Sequence, residues 1–201
     1  MKLYYSPGAC SLSPHIVLRE AGLAFEPVLA STKSHQLEDG TNYYEINPLG
    51  YVPLLELDDG TRLREGPAIV QYIADQVPQK NLAPANGTLP RYRLQEWLTF
   101  IGMEIHRSFS PLFHPAMPDE AKKLSRERIA SRLAFVDREL AGKDHLMGEP
   151  FSVADAYLYT VTRWTRPMAI DLAPYPHLLA HHQRVGARPA VQQALQVEKL
   201  A

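Results

Sequence analysis

The feature that most constrains the fold of this sequence is a change of pattern near residue 88. Up to residue 78, short apolar strand patterns alternate with helical patterns in the order β-α-β-α-β-β-α, and Asp58-Asp59-Gly60 predicts a hairpin turn between the last two strands. From residue 88 onward apolar residues recur three and four positions apart, as in amphipathic helices, and Ser152-Val-Ala-Asp155 is typical of a capping box at a helix start. Residues 78–90 hold three prolines and little apolar periodicity, which is typical of a linker. We predict an α/β domain over residues 1–78, a linker over 79–87 and an all-α domain over 88–201.

Composition limits the partners that the chain can have. The 201 residues carry a formal net charge of −1, so no general attraction to nucleic acid or to a membrane surface is expected. No apolar stretch approaches the roughly 18 residues of a membrane span, and one cysteine suits a reducing compartment. We therefore expect a cytoplasmic protein.

The charge divides unevenly between the two predicted domains. Residues 1–78 hold five Lys and Arg against ten Asp and Glu, whereas the remainder holds sixteen against twelve. Opposite signs would favour packing of one part on the other, within or between chains. Ordinary surface variation is the alternative explanation.

The only cysteine, Cys10, follows the first strand pattern and a turn, and directly precedes a helical pattern. Free backbone N–H groups and the positive end of the helix dipole meet at such a position. Both favour thiolate over thiol, so the sequence predicts a lowered pKa and a chemical role for Cys10. The alternative is a small buried apolar side chain.

Five short motifs together resemble one protein family. They are SPGACS at residues 6–11, NP and GYVP at 47–53, EGPAI at 65–69, EIH at 104–106 and FSVADAY at 151–157. In this order and spacing the chain resembles the cytosolic glutathione S-transferases, most closely the bacterial beta class. The resemblance implies a thioredoxin-like N-terminal domain that binds glutathione, and an all-α helical domain that shapes the site for a hydrophobic second substrate. It also implies a homodimer in which the N-terminal domain of one chain packs on the helical domain of the other.

The resemblance implies how the first domain would bind the tripeptide. Val52-Pro53 is similar to the cis-proline step that exposes main-chain groups to the cysteinyl unit of glutathione, although an edge-strand proline is the alternative. Glu65 and Gly66 stand at a helix start and would bind the α-ammonium and a carboxylate, unless Glu65 only complements the helix dipole. The family most often has Ser where Gly66 stands, so about 1 kcal/mol of hydrogen bonding would be missing.

Three residues compete for the thiol of glutathione: Tyr5, Cys10 and Ser11. Other classes of the family use a Tyr or Ser hydroxyl, whereas the beta class has Cys at the helix start. Two adjacent thiolates would repel, so Cys10 suits either thiol donation in its neutral form or a mixed disulfide. We predict Cys10 as the catalytic residue, with Ser11 second.

The resemblance also assigns roles in the helical domain. It places His106 toward the cleft, where an imidazole would bond Cys10 or shuttle a proton, the alternative being a histidine without chemistry. Glu104 would reach glutathione in the neighbouring subunit, and Thr99 replaces the Asn that commonly makes the same contact. His35 replaces a Lys suited to the glycine carboxylate. The predicted glutathione contacts are Tyr5, Cys10, His35, Tyr51, Val52, Pro53, Glu65, Gly66, Thr99, Met103, Glu104 and His106.

The predicted function is conjugation of reduced glutathione to electrophilic hydrophobic compounds. The alternatives are thiol-disulfide exchange or reductive dehalogenation through Cys10, and a non-catalytic partner-binding module of the same fold. Glutathione would be a co-substrate, with no cofactor and no metal. His177, His181 and His182 have helical spacing but are expected on a solvated face. The acceptor pocket is predicted to include Phe109, Phe113, Met117 and Trp164.

Overall fold

The computed structural model describes residues 1–200, and the chain divides into two compact units. The first unit comprises residues 1–82 and the stretch from Ala187 onward, and the second comprises residues 83–186. Among the described residues, no helix is both long and apolar enough to cross a membrane.

The first unit is built on a sheet of four strands in the order β2-β1-β3-β4. The strands are β1 (Lys2–Tyr5), β2 (Glu26–Leu29), β3 (Leu54–Glu56) and β4 (Arg62–Arg64), and the helices are α1 (Leu12–Ala21) and α2 (Gly66–Gln76). β1 is parallel to β2 and antiparallel to β3, which pairs antiparallel with β4. The thioredoxin-like prediction is confirmed, although the segment predicted as a helix between β2 and β3 is only a 3₁₀ turn, Tyr43–Glu45.

Alternate side chains of β1 face opposite sides of the sheet, as the pleat requires. The Tyr5 ring lies 5.8 Å from the ring of His15 on α1, whereas the Tyr4 ring lies 5.7 Å from the ring of Tyr43. The helix α1 therefore covers one face, and the 3₁₀ segment covers the other with a cluster that includes Val52. This arrangement fixes the start of α1 at one end of β1.

The last helix of the described chain, α8 (Pro189–Val197), belongs to the first unit because it packs on α1. Arg188 donates to both carboxylate oxygens of Glu20 over 2.6 and 3.0 Å. The predicted helical domain runs to residue 201, whereas the compact second unit ends at Gly186.

The second unit contains only helices among its regular elements, as predicted. They are α3 (Leu89–Phe100), a π-helical turn (Ile101–His106), α4 (Arg107–Phe113), α5 (Asp119–Glu139), α6 (Val153–Arg163) and α7 (Pro176–Gly186). The apolar stripes predicted on α3 and α5 supply buried core residues, among them Leu94, Leu98, Leu133 and Val136. Ser152 and Asp155 form the predicted capping box at the start of α6. The π turn was not predicted.

Candidate active site

The thiol of Cys10 lies between the first turn of α1 and the segment that precedes β3. Its Sγ donates a hydrogen bond to the Val52 carbonyl over 3.2 Å, and the Val52–Pro53 peptide bond is cis. Cys10 as a whole residue is half-buried. The sequence pattern thus brings a thiol next to the main-chain group that was predicted to bind the tripeptide.

Burial, with a smaller contribution from the negative charge of Glu65, raises the pKa of the Cys10 thiol to about 12. The backbone N–H groups of Cys10 and Ser11 lower it, as the helix-start argument requires, but by less. A helix terminus contributes about 0.3–1 kcal/mol, whereas desolvation shifts a pKa by up to about 3–5 units. The predicted lowering of the pKa is therefore wrong, and Cys10 is a neutral thiol at neutral pH.

The loop that carries Cys10 is closed at its base by Ser11. The buried Ser11 hydroxyl accepts from the Ser6 N–H over 3.1 Å and donates to the Ser6 carbonyl over 3.3 Å. Both of these bonds hold the turn, and the predicted catalytic role of Ser11 stays a prediction. Tyr5 is also buried, and burial raises the pKa of its hydroxyl with further contributions from Glu198 and Glu38.

The segment before the cis bond is anchored through the main-chain carbonyl of Tyr51. The Tyr51 carbonyl accepts from the Tyr43 hydroxyl over 2.9 Å and from the side-chain amide of Asn47 over 2.7 Å. The Tyr51 side chain is 68% exposed, whereas Asn47 is buried. Asn47 and Tyr43 hold the backbone on which Val52 is presented, a role that the sequence motif quoted above did not reveal.

Glu65 occupies the N-cap position of α2, and its side chain is exposed. Its backbone has a φ of 66°, and its carbonyl accepts from the N–H groups of Ala68 and Ile69. At Gly66 an added Cβ would lie 3.9 Å from the ring of Pro53, which is an ordinary contact. The site therefore has room for the serine that the family commonly carries there.

His35, the predicted substitute for Lys, stacks on Tyr44 with ring centroids 4.5 Å apart. Its Nδ1 is buried without a hydrogen-bond partner, and its backbone has a φ of 52°. A Cβ at Gly50 would approach Nδ1 to 2.8 Å, so the glycine of the GYVP motif makes room for this ring. The predicted contact of His35 with glutathione stays a prediction.

In the second unit, His106 ends the π turn and bonds Tyr157. The distance from its Nδ1 to the Tyr157 hydroxyl is 2.7 Å, and burial lowers its pKa to about 4. The imidazole is therefore neutral at neutral pH. When Nδ1 accepts from Tyr157, Nε2 carries the hydrogen and is a donor. Sequence reasoning missed Tyr157 as the partner of His106, and the predicted contact of His106 with Cys10 stays a prediction.

Three of the four predicted acceptor-pocket residues form an aromatic cluster, which His106 joins through Trp164. The Trp164 ring lies 4.8 Å from the His106 ring, 5.6 Å from Phe109 and 5.4 Å from Phe113. Phe109 and Trp164 are buried, but Phe113 is 47% exposed. The cluster offers an aromatic surface beside a polar imidazole. Met117 is half-buried, and no described side-chain contact joins it to the cluster.

Glu104 is already paired within its own chain. One carboxylate oxygen accepts from Arg132 over 2.7 Å and from Arg128 over 3.0 Å, and these two guanidinium groups lower the pKa of Glu104. A contact with glutathione in a neighbouring subunit stays a prediction and would share this carboxylate. Thr99 and Met103 have exposed side chains on α3 and on the π turn.

One expectation about the histidines near the end of the second unit is wrong. His181 does not lie on a solvated helix face, because it is fully buried and its Nε2 lies 2.9 Å from Asp155 of the capping box. Among residues 1–200, no three His, Cys, Asp or Glu side chains are grouped so that they could hold a metal ion.

Comparison with known proteins identifies the family. The model of the glutathione S-transferase N-terminal domain matches residues 8–76, and that of the C-terminal domain matches residues 100–189. Glutathione S-transferase GstA of Escherichia coli O157:H7 is 44% identical over 200 residues, which cover 100% of both chains. The solved structure of a sphingomonad glutathione S-transferase complexed with glutathione is 51% identical, with a TM-score of 0.96 and 100% of both chains covered. A bacterial beta-class enzyme from Sphingomonas chungbukensis is 47% identical, with a TM-score of 0.97 and the same coverage.

These likenesses span the whole chain and agree with the arrangement of Cys10, the cis Val52–Pro53 bond and the start of α2 in the first unit. The chain therefore belongs to the glutathione S-transferase family, in its bacterial beta class.

Proposed function

We propose that this glutathione transferase joins the thiol of reduced glutathione to electrophilic hydrophobic compounds, with neutral Cys10 donating a hydrogen bond to the reacting sulfur. The observation that carries the proposal is the 3.2 Å bond from the Cys10 thiol to the Val52 carbonyl. It joins a neutral donor to the main-chain acceptor at which a peptide substrate would pair.

Binding of glutathione would exchange the partners of these two groups. The cysteinyl N–H of the tripeptide would donate to the Val52 carbonyl and displace the Cys10 S–H. The released S–H would then donate to the sulfur of glutathione, favouring its thiolate form, because a hydrogen bond to the charged form lowers a pKa. A thiolate at Cys10 could not do this.

The charged ends of glutathione fit the groups around α2. Glu65, exposed at the N-cap position, would pair with the α-ammonium. The backbone N–H of Gly66 at the start of the helix would donate to a carboxylate. We assign the glycine carboxylate of glutathione to His35. The imidazole would stand where the lysine ammonium of related proteins is suited to that carboxylate.

The electrophile would use the aromatic cluster of the second unit. Phe113 exposes an apolar ring, and Trp164 and Phe109 support it from below. A neutral His106 with a hydrogen on Nε2 would donate to a polar group or a leaving group of the acceptor. This assignment rests on the geometry within the second unit.

Disulfide exchange through Cys10 is disfavoured by its protonation state. The attacking species in exchange is the thiolate. With a pKa of about 12, nearly all of Cys10 would be protonated at neutral pH. The non-catalytic alternative is disfavoured because Cys10, Val52 and Glu65 lie together in one region of the first unit.

The proposal includes a homodimer in the cytoplasm, with glutathione as co-substrate and no resident cofactor. The opposite charge balance of the two parts of the sequence supports association between chains. So does a set of large exposed apolar side chains on α3 and the π turn, namely Leu89, Tyr92 and Met103. Sedimentation equilibrium is expected to give twice the chain mass of 22.6 kDa, and a monomer at micromolar concentration would contradict this part of the proposal.

The proposal is tested by calorimetric titration with reduced glutathione, followed by turnover of an activated aryl chloride such as chlorodinitrobenzene. We expect saturable binding at about one site per chain and glutathione-dependent release of chloride. Glu65→Gln, which removes the charge but retains the size, should weaken binding, whereas the matched change Glu56→Gln on β3 should not. Absence of binding in protein whose Cys10 is unmodified by mass would overturn the proposal.

A further inference from the structure

The Cys10 loop has a second support, which comes from the far end of the chain. Glu198 follows α8 and is 1% exposed. Its Oε2 accepts from the Gly8 N–H over 2.9 Å, and its Oε1 lies 2.8 Å from Nδ1 of His15. The Nε of Arg19 donates to Nε2 of the same imidazole over 3.1 Å.

The direction of each hydrogen bond in this network follows from the groups that can only donate. Arg19 has only N–H donors, so Nε2 of His15 must accept. The imidazole then carries its hydrogen on Nδ1 and donates it to Glu198. The N–H of Gly8 can only donate. Both contacts therefore converge on the carboxylate, and only a group with two acceptor oxygens satisfies them. His15 has both nitrogens engaged and is not available as a base for Cys10.

The Gly8 contact lies two residues before Cys10. Gly8 has a φ of 71°, and a Cβ there would lie 3.6 Å from the side chain of Leu200. At the other end of the loop the Ser11 hydroxyl is bonded to the Ser6 backbone. The base of the loop is thus closed locally, whereas its tip is held by Glu198 of the C-terminal segment and lies beside the Leu200 side chain.

We propose that Glu198 is a positioning residue for the reaction: it fixes the tip of the loop at Gly8 and thereby keeps the Cys10 thiol aimed at the Val52 carbonyl. The proposal rests on the proposed function, since it takes Cys10 as the donor to the glutathione sulfur. Loss of the Gly8 contact would let water reach Cys10, and the pKa of the thiol would fall toward its ordinary value.

The substitution Glu198→Gln tests the proposal because it keeps the shape but removes one acceptor. The amide oxygen can accept from Gly8 or from His15, and the NH₂ group then faces a donor. Glu20→Gln is the matched control. Glu20 also joins α1 to the C-terminal segment through the Arg188 ion pair, but it does not touch the Cys10 loop.

Three measurements separate positioning from general loosening: the rate of alkylation of Cys10 by iodoacetamide as a function of pH, amide hydrogen exchange of residues 6–12, and KM and kcat for glutathione. For E198Q we expect alkylation at least about tenfold faster at mildly alkaline pH, one tenfold step per unit of pKa lost. Exchange of the Gly8 amide should also accelerate, and kcat should fall more than KM changes. E20Q should lower the thermal midpoint but leave alkylation and loop exchange at the wild-type values.

The proposal is overturned if E198Q alkylates at the wild-type rate, or if E20Q accelerates alkylation equally. Glu198→Asp provides a milder change in case E198Q does not fold. It keeps the charge but cannot reach both donors, so it should give the same effects in smaller measure, and wild-type behaviour would again refute the proposal. Alkylation and hydrogen exchange need no glutathione, so an inactive wild-type protein would defeat the proposed function without deciding this inference.

Discussion

The state of the Cys10 thiol yields a prediction that can be worked out from the structure. Cys10 is neutral and its Sγ donates to the Val52 carbonyl, so the same S–H group can donate instead to the glutathione sulfur. Replacing Cys10 with Ala removes that donor but leaves Val52, Glu65 and Gly66 in place. Binding of glutathione should therefore survive, whereas ionisation of its thiol should become harder.

The size of the effect follows from the strength of one hydrogen bond to a charged group. Such a bond contributes about 1.5–3 kcal/mol. At about 1.4 kcal/mol per pKa unit, the thiol of bound glutathione should ionise about one to two units higher in Cys10→Ala. Below that pKa, kcat/KM should fall between about tenfold and about 150-fold, and the difference should shrink as the pH rises.

The assay is the pH profile of kcat/KM for conjugation to chlorodinitrobenzene, with calorimetric Kd values for glutathione beside it. Cys10→Ser is the control, because a hydroxyl can still donate, so its profile should stay near that of the wild type. A Cys10→Ala profile that coincides with the wild type would refute the donor role. If disulfide exchange survived in that variant, exchange through Cys10 would be excluded as well.

Two further substitutions and a change of pH should have measurable effects on glutathione binding or on the stability of the protein. Gly66→Ser, for which Pro53 leaves room, should tighten glutathione binding about fivefold through one added hydrogen bond of about 1 kcal/mol, measured by calorimetry. Ser152→Ala should destabilise the protein by about 1 kcal/mol in urea unfolding, because the capping box of α6 is lost, and an unchanged midpoint would contradict its role. In the unfolded chain His106 takes up a proton near its ordinary pKa of 6.5, but in the folded chain only near 4, so stability should fall as the pH falls through that window. The fall should be smaller in His106→Phe, as followed by thermal unfolding.

Local signals in the sequence were sufficient where the physics is local. The turn at Asp58, Asp59 and Gly60 predicted the β3–β4 hairpin, since few residues adopt such a turn. The spacing of Ser152 and Asp155 predicted the start of α6, because both partners of a capping box lie within one turn.

The predictions that were wrong or missing concern sites where residues distant in sequence determine the burial and the contacts. The helix start alone predicted a lowered pKa for Cys10, but burial by surrounding groups outweighs it. The helical spacing of His177, His181 and His182 predicted a solvated face, whereas His181 is buried against the capping box. No pattern near residue 198 indicates that its carboxylate holds Gly8, because that contact spans 190 residues of sequence.

The most direct test of the account is an ultraviolet titration of thiolate in the free protein and in its complex with glutathione. We expect no thiolate in the free protein at neutral pH, because Cys10 has a pKa of about 12. In the complex we expect a new titration, below the ordinary pKa of a thiol, that persists in Cys10→Ser and moves upward in Cys10→Ala. A thiolate in the free protein at neutral pH, or a mixed disulfide on Cys10 in the active complex, would contradict the claim that Cys10 acts as a neutral donor.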